Sequence, residues 1–320
     1  MALIRCAVVG VGYLGRFHAQ KYKQIASEPD SGVTFVGVFD ASPERTKVVA
    51  DELGVAAIER YQDLIGKVDA VTIASTTRTH YELSKFFLEN GVHVNVEKPM
   101  TVTIGEAEEL VALSKSRGLK LQVGHVERFN PALQSAQEKL KKPLFIECHR
   151  LAPFKPRGTD VDVVLDLMIH DIDVIMSLVK SPVKSVSAVG APVLTKVVDI
   201  ANARIEFESG TVANVTASRV SQTATRKFRV FQQEQYLSID FGSGEVNLTT
   251  KMGEWKDDNV PLEFESWSLE KGDALLAETK AFLNAIRTGG DVVVSGDDGL
   301  NAMRVATQVQ KEIYARLEKF

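Results

Sequence analysis

Three residues of this chain have the types and settings needed to move a proton beside a developing charge. Lys98 stands in Glu97-Lys98-Pro99, directly after the apolar run His93–Val96. Pro99 pushes Lys98 away from helical dihedrals and is also open to a cis bond; either fixes the direction of the amine. A lysine beside a fixed positive charge has a lowered pKa and becomes usable as a proton donor or acceptor. Asp166 and His170 are four residues apart in Asp162-Val-Val-Leu-Asp166-Leu-Met-Ile-His170-Asp-Ile-Asp173, so a helix stacks them on one face with Asp173 one turn on. A carboxylate there orients the imidazole and raises its basicity. The competing explanations are a solvated surface lysine, and a capping Asp beside a structural His.

Groups of this kind work only if strands and helices hold them, and the chain supplies both. Ile4–Val9, Val33–Phe39, Ala70–Ile73, His93–Val96 and Lys120–Val123 are short apolar runs separated by segments of helical period. Most are apolar at consecutive positions, as expected of parallel strands covered on both faces. In one intervening segment Leu83, Phe86 and Phe87 share a stripe and Asn90-Gly91 supplies a stop. An α/β architecture follows, with a doubly wound Rossmann sheet over residues 1–123. Lys98 then lies at the carboxyl end of a parallel strand, where open α/β sheets bind ligands.

Beyond Val123 the strands lengthen and alternate: Ala201, Ala203, Ile205 and Phe207 oppose Asn202, Arg204 and Glu206. Further strands are expected at Phe145–Leu151, Val183–Val189, Thr211–Val220, Phe228–Phe231 and Tyr236–Asp240, and helices at Leu165–Val179 and twice near the end of the chain. Residues 124–320 therefore read as an α+β domain with a largely antiparallel open sheet that binds substrate and pairs subunits. Asn214, Thr216 and Ser218 would suit pairing across a homodimer or homotetramer interface.

Gly10-Val-Gly12-Tyr13-Leu14-Gly15 comes between the first strand and a helical segment, which is the context a dinucleotide-binding loop requires. Gly10 permits the tight turn, Gly12 lets backbone approach a pyrophosphate, and Gly15 allows close helix packing. The second strand ends at Asp40, where the motif places an acceptor for a ribose hydroxyl, so NAD is favoured. Arg45 keeps NADP open, and a cap before Pro43 is the other reading of Asp40.

Hydrophobic residues make up 44% and charged residues 25%, so the chain should fold throughout, and a net charge of -4 gives nothing to draw a nucleic acid. Cys6 and Cys148 sit inside apolar runs and read as buried thiols in a reducing compartment, with no metal implied. Neither a secretory leader nor a membrane-spanning run is recognisable, which makes the cytoplasm the expected location.

Glu97-Lys98-Pro99, Asp166-x-x-x-His170 and the glycine loop together resemble the glucose-fructose oxidoreductase/inositol dehydrogenase (Gfo/Idh/MocA) family over essentially the whole chain. The resemblance implies that Lys98, Asp166 and His170 serve dehydrogenation of sugar or polyol hydroxyls. It also implies cofactor contacts from Gly10, Gly12, Tyr13, Leu14, Gly15, Asp40, Ser75, Thr76, His80, Glu97 and Lys98. The segment Ser75-Thr76-Thr77-Arg78-Thr79-His80 lacks the proline and asparagine of the family's Thr-Pro-Asn-x-x-His, and His80 reads equally as a structural hydrogen-bonder at a helix start.

Gly124-His-Val-Glu127-Arg128-Phe-Asn130-Pro131 and Leu151-Ala-Pro-Phe-Lys155-Pro-Arg157 are similar to the sugar-nucleotide branch of the family, which implies the 3-hydroxyl of UDP-N-acetylglucosamine as the oxidised group. Glu127, Arg128 and Arg157 become substrate-binding candidates, and Arg128, Arg150, Lys155 and Arg157 have the charge to hold a diphosphate. A solvated basic loop explains the same residues, and Asn130 before Pro131 reads best as a helix cap. The mechanism expected is proton removal by His170, orientation by Asp166 and stabilisation of the alkoxide by Lys98, with Lys98 and His170 able to exchange roles. A dehydrogenase of free polyols or aldoses is the alternative, and an NAD-sensing regulator without turnover a further one.

Overall fold

The computed structural model describes residues 3–155, 161–256, 259–270 and 272–319. The chain forms two compact units: Met1–Val126 with Asp273–Leu300, and Glu127–Gly272 with Asn301–Phe320. They are not contiguous pieces. A single division at 123/124 leaves out the return of 273–300 to the first unit.

The first unit runs β1 (Ile4–Val9), α1 (Tyr13–Ala26), β2 (Val33–Phe39), α2 (Pro43–Leu53), β3 (Ala56–Ala57), β4 (Ala70–Ile73), α3 (Thr77–Glu89), β5 (His93–Glu97), α4 (Ile104–Arg117) and β6 (Leu121–Gly124). The strands are all parallel in the order β3-β2-β1-β4-β5-β6. The order reverses between β1 and β4, so a crevice opens beyond their carboxyl ends. Local chemistry sets the helix ends. Thr103 and Glu106 make a capping box at the start of α4, Ser42 with Pro43 starts α2, and Gly54 and Gly118 end α2 and α4 in the left-handed conformation. One core cluster joins Cys6, Val8 and Val38 to Tyr22, Phe35 and, from the returning segment, Phe282 and Leu283. That apolar stripe is the physical reason for the return.

The second unit contains α5 (Pro131–Ala136), β7 (Pro143–Leu151), a single π turn at Val164–Met168 that runs into α6 (Ile169–Val179), and then β8 (Val183–Ala191), β9 (Ile200–Phe207), β10 (Val212–Ser218), β11 (Thr225–Gln232), β12 (Gln235–Asp240), β13 (Glu245–Lys251) and β14 (Leu262–Ser268). Two terminal helices follow in the chain: α7 (Ala274–Thr288), which belongs to the first unit, and α8 (Gly296–Leu317), of which the part from Asn301 belongs to the second. The eight strands are ordered β14-β13-β12-β11-β7-β10-β9-β8, antiparallel except for the β7–β10 pair. The alternation expected in β9 is observed: Ala201, Ala203, Ile205 and Phe207 are buried, while Asn202 and Arg204 are exposed. Ser218, expected on the open face, is instead buried and hydrogen-bonded by Ser221 and the Val220 amide, because the strand ends there. β13 and β14 carry few apolar residues and escape the sequence reading. Among the described residues, no helix is long and apolar enough to cross a membrane.

Candidate functional site

A cleft of about 590 Å³ lies at the switch point of the parallel sheet, lined by Gly10, Gly12, Tyr13, Leu14, Asp40, Ser75 and Thr76 among others. Gly10 has φ +87°, and a Cβ there would lie 2.5 Å from the Ser75 amide nitrogen. A Cβ on Gly15 would collide with the Gly10 carbonyl oxygen, so helix α1 can pack this closely only on glycine. A Cβ on Gly12, by contrast, would meet nothing within 4 Å. Helix α1 begins beside that open space without a side-chain cap and without an acid in its first turn, so its positive dipole end favours an anion there. This donor set fits the pyrophosphate of a dinucleotide.

Asp40, 9% exposed, holds the cleft's far side. Its Oδ2 accepts the Val11 amide at 2.9 Å, and its Oδ1 accepts the Ser42 amide at 2.9 Å and Arg45 Nη1 at 3.1 Å. A carboxylate has about four acceptor positions, so one remains for a ribose hydroxyl. The cap that starts α2 is Ser42, which displaces the reading of Asp40 as the cap. The cleft also contains Tyr61, Thr79 and Glu82, for which the sequence carries no signal. Tyr61 comes from a short turn and packs its ring against Phe39, Phe86 and Phe87.

His80 and Glu97 lie behind the cleft and are 1% and 8% exposed. His80 places Nδ1 2.9 Å from the Pro99 carbonyl oxygen and Nε2 3.1 Å from that of Ser75. Burial pushes its pKa down, so the neutral ring donates to one carbonyl and braces the start of α3 against the Lys98–Pro99 segment. These two carbonyl neighbours match the structural role that the sequence also allows for His80. Glu97 sets Oε1 2.8 Å from His18 Nε2 and accepts the Lys98 amide on Oε2 at 3.2 Å. Lys98 itself is half-buried just past β5, and the Lys98–Pro99 peptide is cis.

In the second unit Asp166 sits within the π turn, and His170 in the first turn of α6; both are half-buried. The continuous helix expected over Leu165–Val179 thus starts as a π turn, a form frequent at functional sites. Asp162 anchors it. Its Oδ1 accepts the Val164 and Leu165 amides, each at 3.1 Å, and its Oδ2 accepts Gln310 Nε2 at 2.6 Å. The capping role at the start of this turn therefore falls to Asp162. Met168, Ile169, Ile172 and Ile175 bury the opposite face.

The basic residues divide differently from expectation. Arg150, 4% exposed, forks onto Asp171 at 2.9 and 2.8 Å and reaches Glu127 at 2.8 Å. Burial alone would lower the Arg150 pKa, but the two carboxylates raise it and hold the guanidinium charged. Arg150 is thereby committed inside the unit, and Glu127 gives it one oxygen while the other takes Asn130 Nδ2 at 3.2 Å. Arg128 lies 3.4 Å from Asp173, Lys155 is exposed, and Arg157 lies outside the described residues. Asn130 caps α5 through the Ala132 amide, with Pro131 at the first helical position.

A parallel sheet in Rossmann order, a glycine loop that only glycine can pack, and an acid at the end of β2 define a dinucleotide-binding unit. The chain belongs to the Gfo/Idh/MocA oxidoreductase family: residues 4–125 match its NAD-binding Rossmann fold, and residues 142–238 match a GFO/IDH/MocA C-terminal domain. NAD is its cofactor. Among its relatives, UDP-N-acetylglucosamine 3-dehydrogenase of Acidithiobacillus ferrooxidans is 39% identical over 321 residues, covering 100% of both chains. A solved structure of that enzyme superimposes with a TM-score of 0.91, covering 98% of this chain and 99% of the other at 38% identity. The scyllo-inositol 2-dehydrogenase (NAD(+)) of Bacillus subtilis is 32% identical over 236 residues, covering 68% of each chain.

Proposed function

We propose that this protein oxidises the 3-hydroxyl of UDP-N-acetylglucosamine to the ketone, with NAD as hydride acceptor. The observation that carries the reading is the full-length match to the Acidithiobacillus enzyme, in sequence and in fold. His170 takes the hydroxyl proton and Asp166 orients the imidazole, while the ammonium of Lys98 steadies the negative charge that develops on the substrate oxygen. NAD, held by the glycine loop and Asp40, would supply the hydride acceptor. Arg128 and Arg157 are the basic groups proposed for the diphosphate, now that Arg150 is committed elsewhere. The half-buried polar residues Asn214 and Thr216 on the open face of β10 support assembly as a homodimer or homotetramer. Cys6 and Cys148, both buried and unbridged, suit the cytoplasm.

The test is NADH formation by the purified protein with UDP-N-acetylglucosamine, UDP-glucose, glucose and myo-inositol, with an aminotransferase coupled to remove the ketone. Turnover confined to UDP-N-acetylglucosamine is the expected result, and Lys98→Ala and His170→Ala should each lower kcat by at least about a hundredfold. Turnover with myo-inositol or glucose alone would replace the nucleotide substrate with a free polyol or aldose. NAD binding with no turnover would point to a sensor.

A further inference from the structure

Beneath the carboxyl end of β5 lies a buried polar cluster that the reaction as described does not use. His18 of α1 and Glu278 of α7 are each 0% exposed, and Glu97 is 8% exposed. One nitrogen or oxygen from each of the three lies within 4.8 Å of the others. His18 Nε2 donates to Glu97 Oε1 at 2.8 Å, Asn95 Nδ2 donates to Glu278 Oε1 at 3.1 Å, and Gln122 Nε2 donates to the Glu278 carbonyl at 3.3 Å. His18 Nδ1 and Glu278 Oε2 have no partner among the described residues. Two buried carboxylates with a single imidazole to offset them are expensive, and an apolar core would cost less.

The backbone is shaped around this cluster. Gly124, paired with Glu97 across β5 and β6, has the Glu97 carboxylate seated over its α-carbon: a Cβ there would lie 3.0 Å from Oε2 and 3.1 Å from Oε1. The carboxylate is thus held between Gly124 and His18, and its second oxygen takes the Lys98 amide at 3.2 Å. We propose that His18 and Glu278 are positioning residues for Lys98, acting through Glu97 to fix where the end of β5 delivers the lysine. The inference rests on the catalytic role given to Lys98 above.

The charge state of the cluster follows from its surroundings. Burial, and then the Glu97 charge, push the Glu278 carboxyl up to about 7, against the pull of His18 and the Asn95 amide. Burial lowers the His18 pKa, but Glu97 and Glu278 together raise it above its ordinary value. The other titratable groups whose charges couple to the cluster are Tyr22 of α1 and His80 of α3. Glu278 therefore exchanges its proton near neutrality, beside an imidazole whose charged form the two acids favour. Loss of that proton sets a second charge against Glu97 and, through it, against the seat of Lys98.

The experiment uses the full-length protein with Glu278→Gln, His18→Leu, His18→Gln and Lys98→Ala. Rates with UDP-N-acetylglucosamine from pH 5.5 to 9.5 are combined with NADH affinity by fluorescence and with the rate of reductive methylation of Lys98 by mass spectrometry. Glu278→Gln and His18→Leu should lower kcat by about tenfold or more with NADH affinity within about threefold of wild type. His18→Gln, which keeps a donor for Glu97, should recover most of the loss, and Glu278→Gln should remove a limb of the pH profile near neutrality. Lys98 methylation, which needs no substrate, should change by about threefold or more in both. Unchanged kcat and methylation in the cluster variants, or losses in which the glutamine variant at position 18 is no better than the leucine one, would overturn the proposal. So would stoichiometric Zn²⁺ uptake abolished by His18→Gln, which would make the cluster a metal site. Turnover of Lys98→Ala near wild type refutes the catalytic role of Lys98 itself, so the two failures are distinguished.

Discussion

The Asp40 carboxylate makes cofactor choice a charge measurement. A 2′-phosphate in the position of the ribose hydroxyl would bring negative charge to about 4 to 5 Å from Asp40. At an effective dielectric constant of about 20, each pair of charges then costs about 3 to 4 kcal/mol. Arg45, 3.1 Å from Asp40 Oδ1 with its side chain 54% exposed, returns part of this, because an exposed guanidinium is screened. A net discrimination of about 2 to 3 kcal/mol corresponds to about 30- to 150-fold in kcat/KM for NAD over NADP. Asp40→Asn removes the charge and keeps an oxygen to accept the Val11 amide, so the glycine loop stays supported. The ratio of kcat/KM for NADP to that for NAD should rise by the same 30- to 150-fold, roughly, while kcat/KM with NAD falls by no more than about tenfold. Initial rates with each cofactor at saturating sugar substrate measure both numbers. A ratio that moves less than about threefold, or a wild type that uses the two cofactors equally, would refute the electrostatic argument.

Two further outcomes concern stability. Arg150→Met strips the buried Asp171, side chain 3% exposed, of its guanidinium and leaves Glu127, 8% exposed, with only Asn130 at 3.2 Å and Arg226 at 3.8 Å, and should destabilise the second unit by about 3 to 5 kcal/mol in urea unfolding. The triple variant with Glu127→Gln and Asp171→Asn should lose clearly less, and a single variant as stable as the triple would contradict this account. Glu278 titrates at about 7 in the folded protein against an ordinary 4.5, so the native state keeps a proton that the unfolded chain releases. Stability present below that ordinary value should fall by about 3 kcal/mol as pH rises through the folded value. Glu278→Gln should lack this fall, and parallel pH curves for the two proteins in chemical denaturation would show that the carboxyl titrates normally.

The parallel strands could be read from the chain because a strand covered on both faces is apolar at most consecutive positions, and β1, β2 and β4 start and stop where their apolar runs do. The glycine loop was readable for a similar reason, since its turn, its close packing and its open approach each require a missing Cβ at a particular place. The terminal helix α7 showed its apolar stripe, but a stripe does not say which surface will cover it, and Phe282 and Leu283 went to the first unit. β13 and β14 failed the pattern test. β14, an edge strand, has a mostly exposed face, and its Glu263, Glu265 and Ser266 look like loop.

The basic and acidic residues show where local sequence stops deciding. Arg128, Arg150 and Lys155 look alike in the chain, yet one is locked between two acids, one lies 3.4 Å from Asp173, and one is exposed. His18, Glu97 and Glu278, separated by up to hundreds of positions, look like ordinary polar residues until three elements close over them. By itself the sequence determined whatever depends on backbone geometry and on periodicity over one strand or one turn: the Rossmann rhythm, the glycine spacing, and Lys98 at a strand end. Only the tertiary structure decided which charges were spent on one another. Burial and pairing depend on what is brought across from elsewhere in the chain, and in a low-dielectric interior that neighbour sets whether a charged group is a brace or a reagent.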